Sequence, residues 1–253
     1  MKIPIVLFIV ALMGSPLLPA ESAQDIVEKA DQPFRSVKLY SRSEMTVYRS
    51  GEARPTLELE SYSMRRDGKY QSLSVYLAPA RTKGTAYLLI GDDLWVRFSS
   101  TGRVRKLSSS ARKNSAGGSD FSYYDMADSG RGFAEDYATH LDQEDVPIQG
   151  QRCYRITLVP KAGSDVPYEK LVAYITREEY RYLQLDYYED GALIKTLSFS
   201  DYRKVGGLDY PFAYEMENHT QPSRTEVRMK NVEIGSSKVD SGLFSVTYLN
   251  RIR

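Results

Sequence analysis

The sequence predicts a mainly β protein of the α+β class, built on a single curved antiparallel sheet of about eleven strands. Three observations lead to this prediction. Runs of alternating apolar and polar residues follow one another along most of the chain. Short turn sequences separate most of these runs, and short connections favour antiparallel neighbours. The chain also has 20 tyrosines against 8 phenylalanines, and aromatic side chains favour strands.

The composition excludes several classes of protein. Of the 253 residues, 42% are hydrophobic and 26% are charged, which is typical of a folded globular chain rather than a disordered one. The 34 basic and 33 acidic residues nearly cancel, so the charge gives no general nucleic-acid footprint. We therefore expect no nucleic acid among the partners of this protein.

The N-terminal segment has the layout of a secretory signal peptide. Lys2 supplies the positive charge, residues 3–18 are mostly apolar, and small residues follow at Ala20 and Ala23. Residues 1–23 are therefore expected to direct secretion, with cleavage after Ala20 or after Ala23. An uncleaved membrane anchor is the alternative that this pattern leaves open.

The remainder, residues 24–253, is expected to form one domain that is soluble in the periplasm. A lipid-anchored bacterial protein carries a cysteine directly after its signal, and the only cysteine here is Cys153. One cysteine cannot form an internal disulfide. Because Cys153 lies in a strand-like apolar run, we expect it to be a small buried side chain rather than a reactive thiol.

The mature chain begins with a predicted amphipathic helix over residues 23–34, and strands follow. Asp67-Gly68 and the turns at residues 91–93 and 189–191 are strong hairpin signals. The eleven predicted strands are residues 37–48, 56–66, 69–78, 85–90, 94–98, 151–159, 168–176, 182–188, 192–199, 208–218 and 224–234.

Few helical segments remain to cover such a sheet. Ser122 and Asp125 have the spacing of a capping box, which predicts a short helix over residues 122–127, and residues 133–142 are a second helical candidate. Residues 106–118 are rich in Ser, Ala, Gly and Lys and predict a mobile loop. A large antiparallel sheet must bury one face. Alternation alone fits a cavity under a helical lid and a filled sandwich core equally well.

Residue patterns of catalytic sites are absent from the sequence. His140 and His219 each lie without a second histidine at helical spacing, so a zinc site lacks ligands. There is no Gly-x-Ser-x-Gly motif and no glycine-rich phosphate loop. We therefore predict no catalytic residues, no metal and no cofactor, and expect the protein not to be an enzyme.

One segment resembles a known family signature. The run Gly118-Ser-Asp-Phe-Ser-Tyr-Tyr-Asp-Met126 is similar to Gly-(Ser/Thr)-Asp-Phe-Ser-Tyr-x-Asp-(Leu/Met) of the bacterial outer-membrane lipoprotein-sorting proteins. These belong to the LolA/LolB-like superfamily of periplasmic lipid and lipoprotein carriers. Residues 95–106, 183–195, 225–232 and 240–249 resemble other family segments in the same order. The residues that carry the signature are Gly118, Ser119, Asp120, Phe121, Ser122, Tyr123, Asp125 and Met126.

The resemblance implies a half-barrel, lidded by short helices, around an apolar cavity for acyl chains. It also implies non-catalytic carriage of a lipid or lipidated protein between the envelope membranes. The partners it implies are an inner-membrane transport complex and an outer-membrane acceptor. A sensor or adaptor domain of the same fold, which binds and regulates a membrane partner, is the alternative.

Alternation along the predicted strands gives candidates for the lining of this cavity. A one-residue slip of register would move any strand's side chains to the other face. The thirteen predicted lining residues are Leu73, Val75, Leu77, Leu88, Trp95, Ile156, Leu158, Leu183, Leu185, Tyr187, Leu193, Phe212 and Met216.

Overall fold

The computed structural model describes residues 21–35, 38–127 and 130–252. Most of the predicted signal peptide, residues 1–20, lies outside the described residues. Within the described part no helix is long and apolar enough to cross a membrane. The helices are α1 (Ala23–Asp31), α2 (Ser109–Arg112), α3 (Tyr123–Ala127) and α4 (Val246–Arg251), with a 3₁₀ turn at Ser241–Leu243.

The described chain is dominated by strands that join into one antiparallel sheet. The strands are β1 (Lys38–Arg49), β2 (Glu52–Ala53), β3 (Leu57–Arg66), β4 (Lys69–Ala78), β5 (Ala86–Ile90), β6 (Asp93–Arg97), β7 (Val104–Lys106), β8 (Tyr137–Ile148), β9 (Gln151–Pro160), β10 (Lys170–Thr176), β11 (Tyr182–Glu189), β12 (Ala192–Val205), β13 (Leu208–Asn218) and β14 (Ser223–Ile234).

The strand order is β7-β6-β5-β4-β3-β1-β14-β13-β12-β11-β10-β9-β8, and β2 pairs with β1. Each half of the sheet is a meander of neighbouring strands. The first and last strands join the halves, with Leu39 opposite Ile234 and Arg49 opposite Ser223. The sheet is therefore open, and its edges are β7 and β8.

The predicted single antiparallel sheet is confirmed, but the strand count of eleven is too low. The three additional strands are β2, β7 and β8. The helix predicted over residues 133–142 is wrong, because Tyr137 already begins β8 and pairs with Pro160 of β9. As an edge strand, β8 has one neighbour in the sheet, and after Tyr137 its residues are exposed or half-buried, so its burial pattern lacks regular alternation. Pairing with β9, across the turn at Gln149-Gly150, decides the structure of this segment.

Helix α1 begins where its sequence predicts. The Ser22 side chain accepts a hydrogen bond from the Asp25 N–H, and Asp25 accepts one from the Ser22 N–H, which forms a capping box. Ile26, Val27 and Ala30 are buried on one side of the helix. This side packs against the sheet near β8 and β10.

Both faces of the sheet bury apolar residues. The lid face, which packs against α1 and α3, holds the larger cluster, including Met45, Tyr76 and Leu171. The back face holds a smaller cluster in which Leu73 and Leu88 pack with residues of the C-terminal segment. These C-terminal residues are Val239, Phe244 and Leu249. The N-terminal half of the sheet is therefore covered on both sides.

The segment predicted as a mobile loop, residues 106–118, contains α2 and is tied to the other half of the protein. Arg112 Nη1 lies 2.9 Å from Asp165 Oδ2, and Lys113 Nζ lies 2.8 Å from Glu189 Oε1. The Arg112 side chain is 7% exposed, so its ion pair is the more shielded of the two. The segment thus crosses from β7 towards β10 and β11.

Candidate functional site

Two chambers lie on the lid face, between the sheet and the segment that carries α3. One has a volume of about 120 Å³ and the other about 130 Å³. Phe121, Asp125 and Tyr214 line both chambers. The two chambers therefore meet at the signature segment, residues 118–126.

The first chamber has a wall of hydroxyl groups, and we call it the serine chamber. Its wall comes from β1, β3 and β4, whose lid-face positions place serines side by side. Ser41 is opposite Ser61, and Ser61 is opposite Ser74. Apolar side chains of β1, β3, β14 and the signature segment complete the lining. The six serines of this chamber are Ser41, Ser43, Ser61, Ser63, Ser72 and Ser74.

The second chamber is lined mostly by rings, and we call it the aromatic chamber. Tyr168 and Tyr187 contact each other with ring centroids 4.8 Å apart, and Phe199 contacts Tyr214 at 5.5 Å. Offset and edge-on ring pairs of this kind stabilise a wall beyond the area they bury. The aromatic residues of this chamber are Phe34, Phe121, Tyr124, Phe133, Tyr137, Tyr168, Tyr187, Phe199 and Tyr214.

Asp120 fixes the signature segment to the sheet. Its backbone N–H donates to Thr225 Oγ1 at 2.9 Å, and the Thr225 hydroxyl donates to Asp120 Oδ2 at 2.7 Å. The Ser223 hydroxyl donates to Asp120 Oδ1, and Arg49 Nη1 lies 3.5 Å from the same oxygen. Since the Asp120 side chain is fully buried, these contacts compensate the loss of water around its carboxylate. They hold Phe121, the next residue, over both chambers.

A buried ion pair marks the junction of the chambers. Lys195 Nζ lies 2.6 Å from Asp125 Oδ2, and the two side chains are 8% and 9% exposed. The Tyr168 hydroxyl donates to both Asp125 oxygens, at 3.0 and 2.9 Å. The Asp125 side chain also accepts from the Ser122 N–H, which caps α3. The pair therefore links α3 to β12 of the C-terminal half.

Asp31, at the end of α1, supports the segment that closes the aromatic chamber. Its carboxylate accepts from the Ala134 N–H at 2.8 Å and from the Tyr182 hydroxyl at 2.9 Å. The side chain is completely buried, and this burial raises the pKa of Asp31 to about 6. The backbone of Gly132 lies so close to the Asp31 carboxylate that a Cβ added at Gly132 would be 2.7 Å from it.

Six of the thirteen predicted lining residues belong to the lid-face core. Among them, Tyr187 also lines a chamber, whereas the other five pack beneath the chambers or beside them. These six residues are Ile156, Leu158, Leu185, Tyr187, Phe212 and Met216.

Four others lie on the back face, where Leu73, Val75, Leu88 and Trp95 pack around α4. For these four the predicted face is wrong. The reason is that both faces of this half are buried, so an apolar side chain does not indicate which face contains the cavity. On β4 the apolar positions face α4, and Ser72 faces the serine chamber.

The last three predicted lining residues line neither chamber, and all lie at register shifts. Leu77 is the extra residue of a bulge in β4, and Leu183 that of a bulge in β11. Leu193 is adjacent to a shift in β12 and is 39% exposed. A bulge inserts one residue and so interrupts the alternation on which the prediction depended.

The structure places most of the predicted signature residues at the site. Phe121, Asp125 and Met126 line the serine chamber, Ser122 caps α3, and Asp120 anchors the segment. Tyr123 packs on the lid-face core. Gly118 and Ser119 lie before the anchor, where the Gly118 carbonyl accepts from Arg49 Nη2 at 2.8 Å.

Sequence reasoning missed the serines and most of the rings. Serine at alternate positions in three successive strands, such as Ser61 and Ser63 of β3, is a signal that the sequence does contain. It escapes notice when only apolar residues are scored as buried. Phe34 lies outside any strand, so alternation could not identify it, and Tyr168, the first residue of the predicted strand 168–176, lies just before β10 and was not scored as a lining residue.

The chemistry of the described residues does not indicate a metal centre. In residues 21–35, 38–127 and 130–252, no group of three or more His, Cys, Asp and Glu side chains could hold a metal ion. Cys153 is buried, and burial raises the pKa of its thiol to about 11. This agrees with its prediction as a small buried side chain.

Comparison with known proteins gives one family match. A family model described as an uncharacterized protein matches residues 68–251. No curated protein matches the chain.

Solved structures give strong matches in fold. A DUF1329 family protein from Desulfovibrio piger has 27% identity and a TM-score of 0.81, over 90% of this chain and 97% of that one. An outer membrane lipoprotein-sorting protein domain from Vibrio parahaemolyticus has 22% identity and a TM-score of 0.80, over 90% and 98%. A LolA superfamily protein from Nitrosomonas europaea has 21% identity and a TM-score of 0.75, over 90% and 100%. These likenesses agree with the open antiparallel sheet of the fold that the sequence resemblance implied.

Proposed function

This chain belongs to the family of uncharacterized proteins whose model matches residues 68–251, and from that premise we propose that it carries acylated ligands between the membranes of the cell envelope. In this proposal it binds acyl chains without catalysing a reaction on them. The ligand is a lipid or a lipidated protein. The partners are an inner-membrane transport complex and an outer-membrane acceptor, and the site of action is the periplasm.

The observation that carries the proposal is the pair of chambers under the signature segment. An acyl carrier needs an apolar compartment that is shielded from water and covered by a movable element. The aromatic chamber supplies rings, and α3 covers it with only five residues. The outer membrane lipoprotein-sorting protein domain and the LolA superfamily protein share this fold, which supports the proposal by analogy.

The energetics of carriage set what the chambers must supply. Each methylene buried from water is worth about 0.8 kcal/mol, so a chain of about fourteen methylenes prefers a membrane over water by about 11 kcal/mol. A carrier must offer comparable apolar surface. The chambers measure about 120 and 130 Å³, below the roughly 300 Å³ typical of a small-molecule pocket. Binding of a whole chain therefore requires α3 and its flanking segments to move away from the sheet.

The sequence-based lining set is revised accordingly. Tyr187 stays in the proposed lining, and Leu185 and Met216 stay as core residues that a widened chamber would expose. The back-face residues, such as Leu73, are no longer proposed.

Native mass spectrometry of residues 21–253, purified from a periplasm without detergent, tests the proposal. Leu197 lines the aromatic chamber, whereas Leu193 on the same strand is exposed, so the two leucines offer a matched pair. Leu197→Trp fills the chamber, and Leu193→Trp is the control. We expect adducts that extract as lipid on the wild type and on Leu193→Trp, and at least severalfold fewer on Leu197→Trp.

Two results would count against the proposal, the first against its site and the second against its function. Adducts that are equally abundant on all three proteins would show that lipid binds outside the aromatic chamber. A clean mass after incubation with phospholipid vesicles, together with a stable complex with a membrane protein, would favour the sensor or adaptor function instead.

A further inference from the structure

The serine chamber differs chemically from the aromatic chamber, although the two share Phe121, Asp125 and Tyr214 in their linings. Ser61 and Ser74 hydrogen-bond each other at 2.8 Å between their Oγ atoms, and the Ser72 hydroxyl donates to the Ala127 carbonyl. Three of the six serine hydroxyls thus form hydrogen bonds within the protein. A wall that served only hydrocarbon would carry Val or Ala at these positions, because burying a hydroxyl costs free energy.

Ser41, Ser43 and Ser63 lack such a partner in the described part of the chain, and Ser41 and Ser63 are the more buried of the three. These two are 8% and 7% exposed, and both line the chamber. Neither hydroxyl has a hydrogen-bond partner among residues 21–35, 38–127 and 130–252. Both residues line the chamber, so these two hydroxyls are placed to donate to an acceptor inside it.

The charge of the chamber limits what that acceptor can be. Asp125 is the one charged residue in the described lining, and Lys195 already neutralises it. A ligand phosphate or carboxylate would be repelled by the Asp125 carboxylate and would find no unpaired cation in the described lining. An ammonium group would meet an anion whose hydrogen-bonding positions Lys195, Tyr168 and Ser122 occupy. The chamber therefore favours an uncharged group that accepts hydrogen bonds.

We infer that the serine chamber binds the uncharged ester or amide carbonyl groups of the ligand, while its hydrocarbon lies in the aromatic chamber. This inference rests on the proposed acyl-carrier function and specifies its ligand class. The carbonyl oxygens accept hydrogen bonds from Ser41 and Ser63. Phe121 and Tyr214 line both chambers, so a ligand that occupies both would place its carbonyl and its first methylenes against these two rings.

Two lipids that differ in one carbonyl test the inference. Monopalmitoylglycerol has an ester, and hexadecyl glycerol ether has the same glycerol and chain length with an ether in its place. Each is titrated against residues 21–253 by displacement of N-phenylnaphthylamine. We expect the wild type to prefer the ester. In the double variant Ser41→Ala/Ser63→Ala, affinity for the ester should fall roughly tenfold, because two hydrogen bonds are lost, and affinity for the ether should change less than about twofold.

Controls separate the inference from the function it rests on. Ser200→Ala, at an exposed position of β12, should leave both affinities unchanged. The double variant should melt no lower than the wild type, since its lost hydroxyls have no partner in the protein, and the single variants should each show part of the effect. Ester and ether bound equally well by the wild type would overturn the inference alone and indicate that the hydroxyls hold water. Failure of both lipids to bind any of these proteins would instead overturn the proposed acyl-carrier function.

Discussion

Lys195 of β12 and Asp125 of α3 form an ion pair, 2.6 Å between Nζ and Oδ2, at the point where the two chambers meet. Both side chains of the pair are shielded from solvent. Lys195 Nζ also lies 4.6 Å from the centroid of the Tyr168 ring and 4.9 Å from that of Tyr187. Removal of either partner would leave an unpaired charge in an apolar site, so loss of either side chain should cost stability.

Lys195→Met should therefore destabilise the protein by about 3–5 kcal/mol, measured by urea unfolding. Adding Asp125→Asn should restore part of that loss, because the stranded carboxylate becomes neutral. Lys113→Met is the control, since its pair with Glu189 is exposed and should contribute less than about 1 kcal/mol. Equal losses for Lys195→Met and Lys113→Met would contradict the prediction.

Asp31 should make stability depend on pH in mildly acidic solution. Its folded pKa of about 6 lies above the unfolded value near 4, so the folded state binds the proton more tightly. The resulting stabilisation is complete below about pH 4 and is lost as the pH rises through about 6. Asp31→Asn should abolish this dependence, which amounts to about 3 kcal/mol. The measurement is the difference in unfolding free energy between the two proteins across this range; a difference that stays constant would refute the assignment.

Gly132→Ala should cost about 2 kcal/mol more than Gly163→Ala. Both glycines have positive φ, +83° and +87°, so backbone strain is matched. A Cβ at Gly132 would lie 2.7 Å from the Asp31 carboxylate, whereas a Cβ at Gly163 has nothing within 4 Å. Thermal unfolding of the two variants gives the comparison, and similar melting temperatures would show that Asp31 can move aside.

Secretion should leave Glu21 as the first residue, with cleavage after Ala20 rather than after Ala23. Ser22 caps α1, and Glu21 forms an ion pair with Lys29 and accepts a hydrogen bond from the Tyr180 hydroxyl at 3.0 Å. Cleavage after Ala23 would remove both contacts and the first helical residue, at a cost of about 1 kcal/mol for the cap alone. The intact mass of the periplasmic product decides between the two sites.

Local patterns were sufficient for most of the secondary structure. Alternation and hairpin turns such as Asp67-Gly68 located the strands that have one consistently buried face. The same reasoning failed at β8, where only pairing with β9 makes polar residues 137–148 a strand. It also failed at β2 and β7, which are too short to show a period.

The candidate site was less predictable than the sheet, because it is assembled from distant segments. The signature residues were identified from a resemblance, and the structure places Asp125 where the two chambers meet. Its partner Lys195 is 70 positions away in the chain, and no local pattern connects the two.

By itself, the sequence determined most of the strands, helix α1 and the capped helix α3, because alternation, hairpin turns and caps each involve residues close together in the chain. Only the tertiary structure decided which face of each strand meets the chambers. Both faces of the N-terminal half are buried, so Leu73 packs against α4 while Ser72 faces the lid. Bulges at Leu77 and Leu183 shift the alternation without a signal in the sequence. Burial depends on what packs against a face, and here that partner comes from remote parts of the chain.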